Sequence, residues 1–417
     1  MSAPTVPPAH KPWSVFAIRA YALYWASRFL VTFSVQIVSV AVGWQVYDLT
    51  RDPLDLGIIG LVQFLPALAL VLVTGSVADR YDRRLIMALC VAVEVTCIGG
   101  LLYLAWSGPT GVWPYFALMT GFGVARAFYG PATQALMPNL VPVERLPDAI
   151  AYNSSAWQVA SIVGPVAGGL LYGVGVRVAY GVPLALMSLA VLLLAAIPVV
   201  AQSRNREPAS WDNVVAGFRY VWNNRIVLGA ISLDLFAVLL GGAVALLPAF
   251  ARDILETGPW GLGLLRAAPG IGAVVVALWL GWKPIRDHAG IWMFVGVALY
   301  GVATVVFGLS ETVWLSIAAL ALLGAGDMVS VYVRETLLQL ATPDEVRGRV
   351  NAVNMVFVGA SNELGEFRAG AMAAVIGVVP AVVFGGVGAV IVSGLWAWWF
   401  PQLRLARRLD GTDLPRG

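Results

Sequence analysis

Charge is what this chain has least of. Only 12% of its 417 residues are Asp, Glu, Lys or Arg, about half the share of a typical soluble domain. Apolar residues make up 59%, and the mean hydropathy is +0.82. A surface this poor in charge must face something other than water, and a bilayer is that surrounding. The net charge of +3 is dispersed, with no Lys/Arg run suited to a phosphate backbone, so nucleic acid is excluded as a partner. Histidine and cysteine number two each. His10 lies in a tail and His288 in a loop, without partners at metal spacing, and Cys90 and Cys97 share one apolar segment. Nothing here supports a disulfide framework, a metal centre or a nucleophile with its base. No Gly-x-x-x-x-Gly-Lys loop occurs, so ATP is not the driving force. The expectation is a membrane protein that is not an enzyme and needs no cofactor or metal. A cleavable leader is not expected either, because Met1 to Trp13 is polar and Pro-rich and the first apolar segment is too long.

What the chain has in quantity is apolar segments of membrane-spanning length, about 20 residues. They fall near 16–47, 56–78, 84–106, 112–136, 147–173 and 178–200, then near 226–251, 259–282, 290–309, 313–338, 348–375 and 378–400. Six segments, a polar stretch and six more predict an all-α integral membrane protein of twelve transmembrane helices in two pseudo-symmetric bundles. The expected units are a tail (1–15), a bundle (16–200), a linker (201–225), a second bundle (226–400) and a tail (401–417). Within the linker, Trp211, Val215, Phe218 and Trp222 form one stripe of a short amphipathic helix suited to a membrane surface. A repeat supports the two halves: Pro142, Glu144, Ala151, Asn153, Gly164 and Gly169 recur as Pro343, Glu345, Ala352, Asn354, Gly365 and Gly370 at a constant offset of 201. Such duplication is characteristic of transporters. With the N-terminus inside, eighteen basic residues fall on inner loops and tails, and only Arg51, Arg177 and Arg252 on outer ones. The positive-inside rule then puts both termini in the cytoplasm.

Between the second and third segments the chain reads Gly75-Ser-Val-Ala-Asp79-Arg80-Tyr-Asp82-Arg83-Arg84. The glycine lets two helices approach, the aspartate can accept from a neighbouring helix N-terminus, and the arginines hold the loop on the basic side. This order resembles the signature loop of the major facilitator superfamily. The resemblance implies that Asp79 bridges to the start of the eleventh segment, near Gly348, when the carrier is open outward. The second-half counterpart, Gly281-Trp-Lys-Pro-Ile-Arg-Asp-His, keeps charges but not the Asp-Arg order. On the fifth segment, Gly164-Pro165-Val-Ala-Gly168-Gly169 is similar to the superfamily's exporter-associated motif, linked there to drug/proton antiport; helix packing alone is the alternative. Thr342 to Asn354, Ser361 to Phe367, Leu247 to Leu255 and Leu264 to Gly270 resemble the enterobactin-exporter-like, or transmembrane secretion effector, branch. That likeness runs from about Arg28 to Arg404. It implies the major facilitator fold, a central cavity lined by segments 1, 4, 7 and 10, and export of a substrate it does not specify.

Ionisable groups inside a membrane cost about 2.5–3.5 kcal/mol each on insertion scales, so each needs a partner or a task. Arg126 and Asp327 are equivalent at offset 201, and Arg28 and Asp234 at offset 206. If these line the cavity, its first-half wall is basic and its second-half wall acidic. Asp234 or Asp327 would then exchange protons while Arg28 or Arg126 meets an anionic group. In the alternative, the pairs Arg28–Asp234 and Arg126–Asp327 hold the halves together. Glu363 and Glu366, at i and i+3 on one face, are further proton-coupling candidates. Glu94 divides evenly between structural and functional roles, and Arg334 and Glu335 suit a gate. Gln36, Trp157, Phe236, Tyr332 and Asn354 are the remaining cavity candidates, with core packing competing for the aromatics. These features predict a monomeric, proton-coupled exporter of small amphipathic compounds, drug-like or siderophore, in a bacterial inner membrane. A lipid flippase or an importer on the same fold is the alternative, and a channel or receptor fits less well.

Overall fold

The computed structural model describes residues 12–108, 111–199, 211–285 and 287–405. Outside it lie most of both expected tails, residue 200 of the expected first bundle, residues 201–210 of the linker, and Lys11, Arg204, Arg206, Arg286, Arg407, Arg408 and Arg416 of the basic count. Among the described residues, twelve long helices form two six-helix bundles. The first half contains α1 (Arg19–Thr50), α2 (Pro53–Arg80), α3 (Arg83–Ser107), α4 (Trp113–Leu136), α5 (Leu146–Val174) and α6 (Val176–Ala195). The second contains α7 (Arg225–Ile254), α8 (Gly258–Trp282), α9 (Ala289–Gly308), α10 (Val313–Ala341), α11 (Asp344–Ile376) and α12 (Val378–Trp399). Ten of the twelve are long and apolar enough to cross a bilayer by themselves; α4 and α11 fall short of that test. With an even number of crossings, α1 begins and α12 ends on one face, which we call the terminal face; the other is the far face.

Helix starts follow local chemistry. Asp52 accepts from the Leu54 amide (2.9 Å) ahead of Pro53, and Asp82 accepts from the Arg84 amide (2.9 Å). Both satisfy an otherwise unpaired first-turn donor. The arginines of this α2–α3 loop do more than mark a membrane side. Arg83 donates to the Ala78 and Ala135 carbonyls at 3.1 Å each, and Arg84 donates to the Ile197 carbonyl. They thereby tie the loop to the chain near the C-terminal ends of α4 and α6, where cations are favoured.

The linker helix (Trp211–Asn223) lies against α11. Phe218 stacks on Phe357 with centroids 6.1 Å apart, and the Tyr220 hydroxyl donates to the Ala341 carbonyl (2.7 Å). Its Val215, Phe218 and Trp222 side chains remain exposed.

The halves meet on the far face, backbone against backbone. A methyl on Gly169 of α5 would lie 2.4 Å from the Pro259 carbonyl and 3.1 Å from Gly263 of α8. A methyl on Gly370 of α11 would lie 2.7 Å from the Pro53 carbonyl and 3.0 Å from the Gly57 Cα of α2. These are equivalent contacts, since the 206 offset that relates Arg28 to Asp234 also carries Pro53 to Pro259 and Gly57 to Gly263. Charges close the same face: Arg51 meets Asp253 at 2.5 Å, the Tyr47 hydroxyl donates to Asp253, and Arg252 pairs with Asp48 while lying over the Trp44 ring.

The fifth-segment motif divides its work. Gly164 and Gly168 admit α1, where added methyls would lie 2.6 Å from Gln36 Cβ and 3.0 Å from Ile37 Cα; Gly169 admits α8 of the other half. In α7 the helix breaks at Gly242, whose φ of +54° needs a residue without Cβ. Arg368 of α11 caps that break by donating to the Leu239 (2.9 Å) and Leu240 carbonyls.

Candidate functional site: a central charged cavity

A cavity of about 720 Å³ lies between the halves. Its lining runs from Gly43 and Leu56, beneath the far-face seal, to Arg28, Ala67 and Gln134 toward the terminal face. Asp79 is 4.0 Å from Arg83, and the space around Gly348 is open. Among the described residues, no ion pair or hydrogen bond joins Asp79 to the start of α11.

Most of the wall comes from α1, α2 and α4; the second half adds Val244, Ala245, Arg266, Glu363 and Glu366. Arg28 donates to the Tyr24 hydroxyl (3.1 Å), which donates to the Thr133 carbonyl of α4 (3.1 Å), so two helices fix this guanidinium. Arg126 is exposed to the cavity and is the cation acting on Glu94 and Glu363. Arg266 reaches from α8 to donate to Ser39 of α1 and is the cation acting on Glu366. Opposite, α2 presents Gly60. A methyl there would lie 3.1 Å from Glu363 Oε2 and 3.3 Å from Glu366 Oε2, so two carboxylates converge where α2 has no side chain. Glu94 lines the same cavity, fully buried, with neither carboxylate oxygen hydrogen-bonded. Three guanidiniums and three carboxylates therefore share one low-dielectric space, where each needs an opposite charge to remain ionised.

Gln36 and Trp157 line the cavity as expected, with Arg28, Arg126, Glu363 and Glu366. Asp234 and Asp327 do not. They line a separate small void inside the second bundle, and Asp234 forms a buried ion pair with Arg334. The cross-half pairs considered as the alternative, Arg28–Asp234 and Arg126–Asp327, are not formed among the described residues: Arg334 takes Asp234 within its own bundle, and Asp327 lines that bundle's void while Arg126 lines the cavity. Arg334, considered for a gate, is the cation of this pair. Phe236 packs on Trp396 (5.1 Å between centroids), Tyr332 packs against the second-half core, and Asn354 donates to Glu335 (3.0 Å); none lines the cavity. Sequence reasoning missed Arg266 and Gly60 as cavity residues, although the 206 offset makes them counterparts. It also left Glu94 undecided; its neighbours on α3 give no sign of which way that face turns.

Twelve helices in two pseudo-symmetric bundles, closed over a charged central cavity, define a secondary transporter of the major facilitator type. The chain belongs to the transmembrane secretion effector family, whose model matches residues 10–409. It is 27% identical over 393 residues to the enterobactin exporter EntS of Citrobacter koseri, covering 93% of this chain and 94% of that one. Against the Escherichia coli O1:K1 / APEC enterobactin exporter EntS the identity is 26% over the same coverage. Solved structures give the same fold at low identity. A POT family transporter in complex with 5-aminolevulinic acid superposes with a TM-score of 0.71 at 13% identity, covering 92% of this chain and 96% of that one. An inward-facing bacterial homologue of ferroportin gives 0.69 at 14%, covering 91% and 98%. These relatives and neighbours are transporters, not enzymes.

Proposed function

We propose that this protein is a proton-coupled exporter of small amphipathic compounds in a bacterial inner membrane, working by alternating access. The observation that carries the reading is the meeting of Glu363 and Glu366 at Gly60, in a cavity whose other charges are Arg28, Arg126 and Arg266. With both termini cytoplasmic, as the basic residues imply, the cavity faces the cytoplasm, the loading side for an exporter.

A compound bearing phenolic hydroxyls would donate to the two carboxylates while its oxygens accept from the guanidiniums. It can do so only when the carboxylates are free of protons, so proton and substrate compete for one site. That competition is the basis of exchange. A catecholate siderophore fits this chemistry, in line with the relatives named as enterobactin exporters, and the exposed Trp157 offers a ring surface beside it.

The test is proton release in proteoliposomes with an imposed pH gradient, challenged in turn with a catecholate siderophore, a cationic dye and a lysolipid. The siderophore is expected to release protons from wild type and not from Glu366→Gln or Glu363→Gln. Lysolipid flux without proton movement would instead make this a lipid carrier, and siderophore flux undiminished in both variants would refute coupling at this pair.

A further inference from the structure

The second bundle holds a cluster of charges that the central cavity does not use. Asp234 of α7 and Arg334 of α10 form an ion pair with both side chains over 90% buried. Beside them, Asp234, Asp327, Tyr300 and Ser330 line a void of about 10 Å³, close to the space of one water-sized sphere. Among the described residues no cation lies within ion-pair distance of Asp327, although Asp234 and Arg334 both act on it. Ser330 is 2% exposed, and its hydroxyl has no hydrogen-bond partner. An unsatisfied buried hydroxyl facing a void between two carboxylates is a ligand set without its ligand.

The charge count says which ligand. With both aspartates ionised, two carboxylates face one guanidinium, and a single negative charge is left to be met. The other groups facing the cluster do not cancel it. Arg368 acts on Tyr300 from α11 but is committed to the Leu239 and Leu240 carbonyls, and Glu366, which also acts on Tyr300, adds charge of the wrong sign. Glu335, 3.6 Å from Arg334, is 43% exposed and held by Asn354, so it belongs to the cluster's wetter edge. A divalent ion would overshoot the balance, and the space admits nothing larger than one small ion.

We propose that this void binds one monovalent cation, sodium or a proton, held by Asp327, Asp234 and Ser330. Occupancy would free Arg334 from answering two carboxylates and so set the α7–α10 contact, about two turns from the break at Gly242. The site stands apart from the cavity, so the fate of proton coupling at Glu363 and Glu366 does not decide it.

The experiment uses the full chain in nanodiscs. Thermal unfolding and ²²Na⁺ binding are followed in sodium against choline at equal ionic strength, with proton uptake recorded between alkaline and acid pH. If sodium is the occupant, it raises the melting temperature of wild type, Ser330→Ala weakens the apparent sodium affinity about tenfold, and Asp327→Asn abolishes binding. Should sodium and choline prove equivalent while wild type takes up one more proton than Asp327→Asn, the occupant is a proton. Ser330→Ala removes only a hydroxyl and gives the reading even where the aspartate variant fails to fold, as a lost sodium response or as a displaced proton-uptake midpoint. Wild type with no sodium response, together with proton uptake unchanged in both variants, would overturn the site.

Discussion

Arg28 and Arg126 in the first half and Asp234 and Asp327 in the second occupy equivalent positions, yet only the arginines reach the cavity. The glycine contacts behave differently. Gly169 on Pro259 and Gly263 is matched by Gly370 on Pro53 and Gly57. Close backbone approach tolerates almost nothing but glycine, so a repeat that keeps the packing must keep those residues. A charge is freer, because any third residue can redirect it. Arg334 does so in the second half, whereas its first-half counterpart is the neutral Thr133. Packing therefore follows the repeat and electrostatics depart from it.

The departure should show most in stability. Arg334→Leu leaves Asp234 buried without its cation and is expected to cost about 3–5 kcal/mol. The counterpart change Thr133→Val removes a hydroxyl that already lacks a partner and should stay within about 1 kcal/mol. Unfolding in detergent measures both, and equal losses would erase the distinction drawn between the halves.

Next come the matched glycines. Gly169→Val and Gly370→Val each force apart a backbone contact on the far face, at about 1–3 kcal/mol. Each should shift the population away from the sealed state by roughly 5- to 150-fold. Maleimide labelling of Tyr47→Cys, in a background lacking Cys90 and Cys97, reads that opening. A large effect from one glycine only would break the symmetry of the seal.

A smaller effect is expected at Gly60→Ala, where a methyl meets two carboxylates that can swing aside. If the substrate is the siderophore proposed above, its affinity should fall about threefold to tenfold, and further as the pH drops, because protonated carboxylates no longer accept two donors. Least of all should follow from Asp253→Asn. Its pair with Arg51 has side chains 39% and 51% exposed, and surface pairs contribute about 0–1 kcal/mol. Labelling of the far face should rise less than about fivefold.

Much of this was legible in the sequence. Segments placed at 147–173 and 259–282 emerge as Leu146–Val174 and Gly258–Trp282, because bilayer thickness dictates the length of an apolar run. Arg28, Arg126, Gln36 and Trp157 were cavity candidates, the arginines through the resemblance to the superfamily, and Glu363 and Glu366 were candidates for proton coupling; all six line the cavity. Asp234, Asp327, Phe236 and Tyr332 were misplaced for a shared reason. A helix apolar on nearly all sides carries little pattern to say how it is rotated about its axis, and one turn-fraction decides whether a carboxylate faces the cavity or its own bundle. The far-face pairs of Arg51 and Arg252 were hidden too, since loop charges read first as topological signals.

The central claim is that the far face and the terminal face open in alternation about this cavity. Double electron–electron resonance tests it with two label pairs at exposed, repeat-equivalent sites: Trp113 with Trp314 on the far face, and Val73 with Trp279 on the terminal face. Distances would be recorded with and without siderophore at two pH values. The account predicts that conditions lengthening the first pair shorten the second. Distances that stay fixed, or that lengthen together, would contradict it.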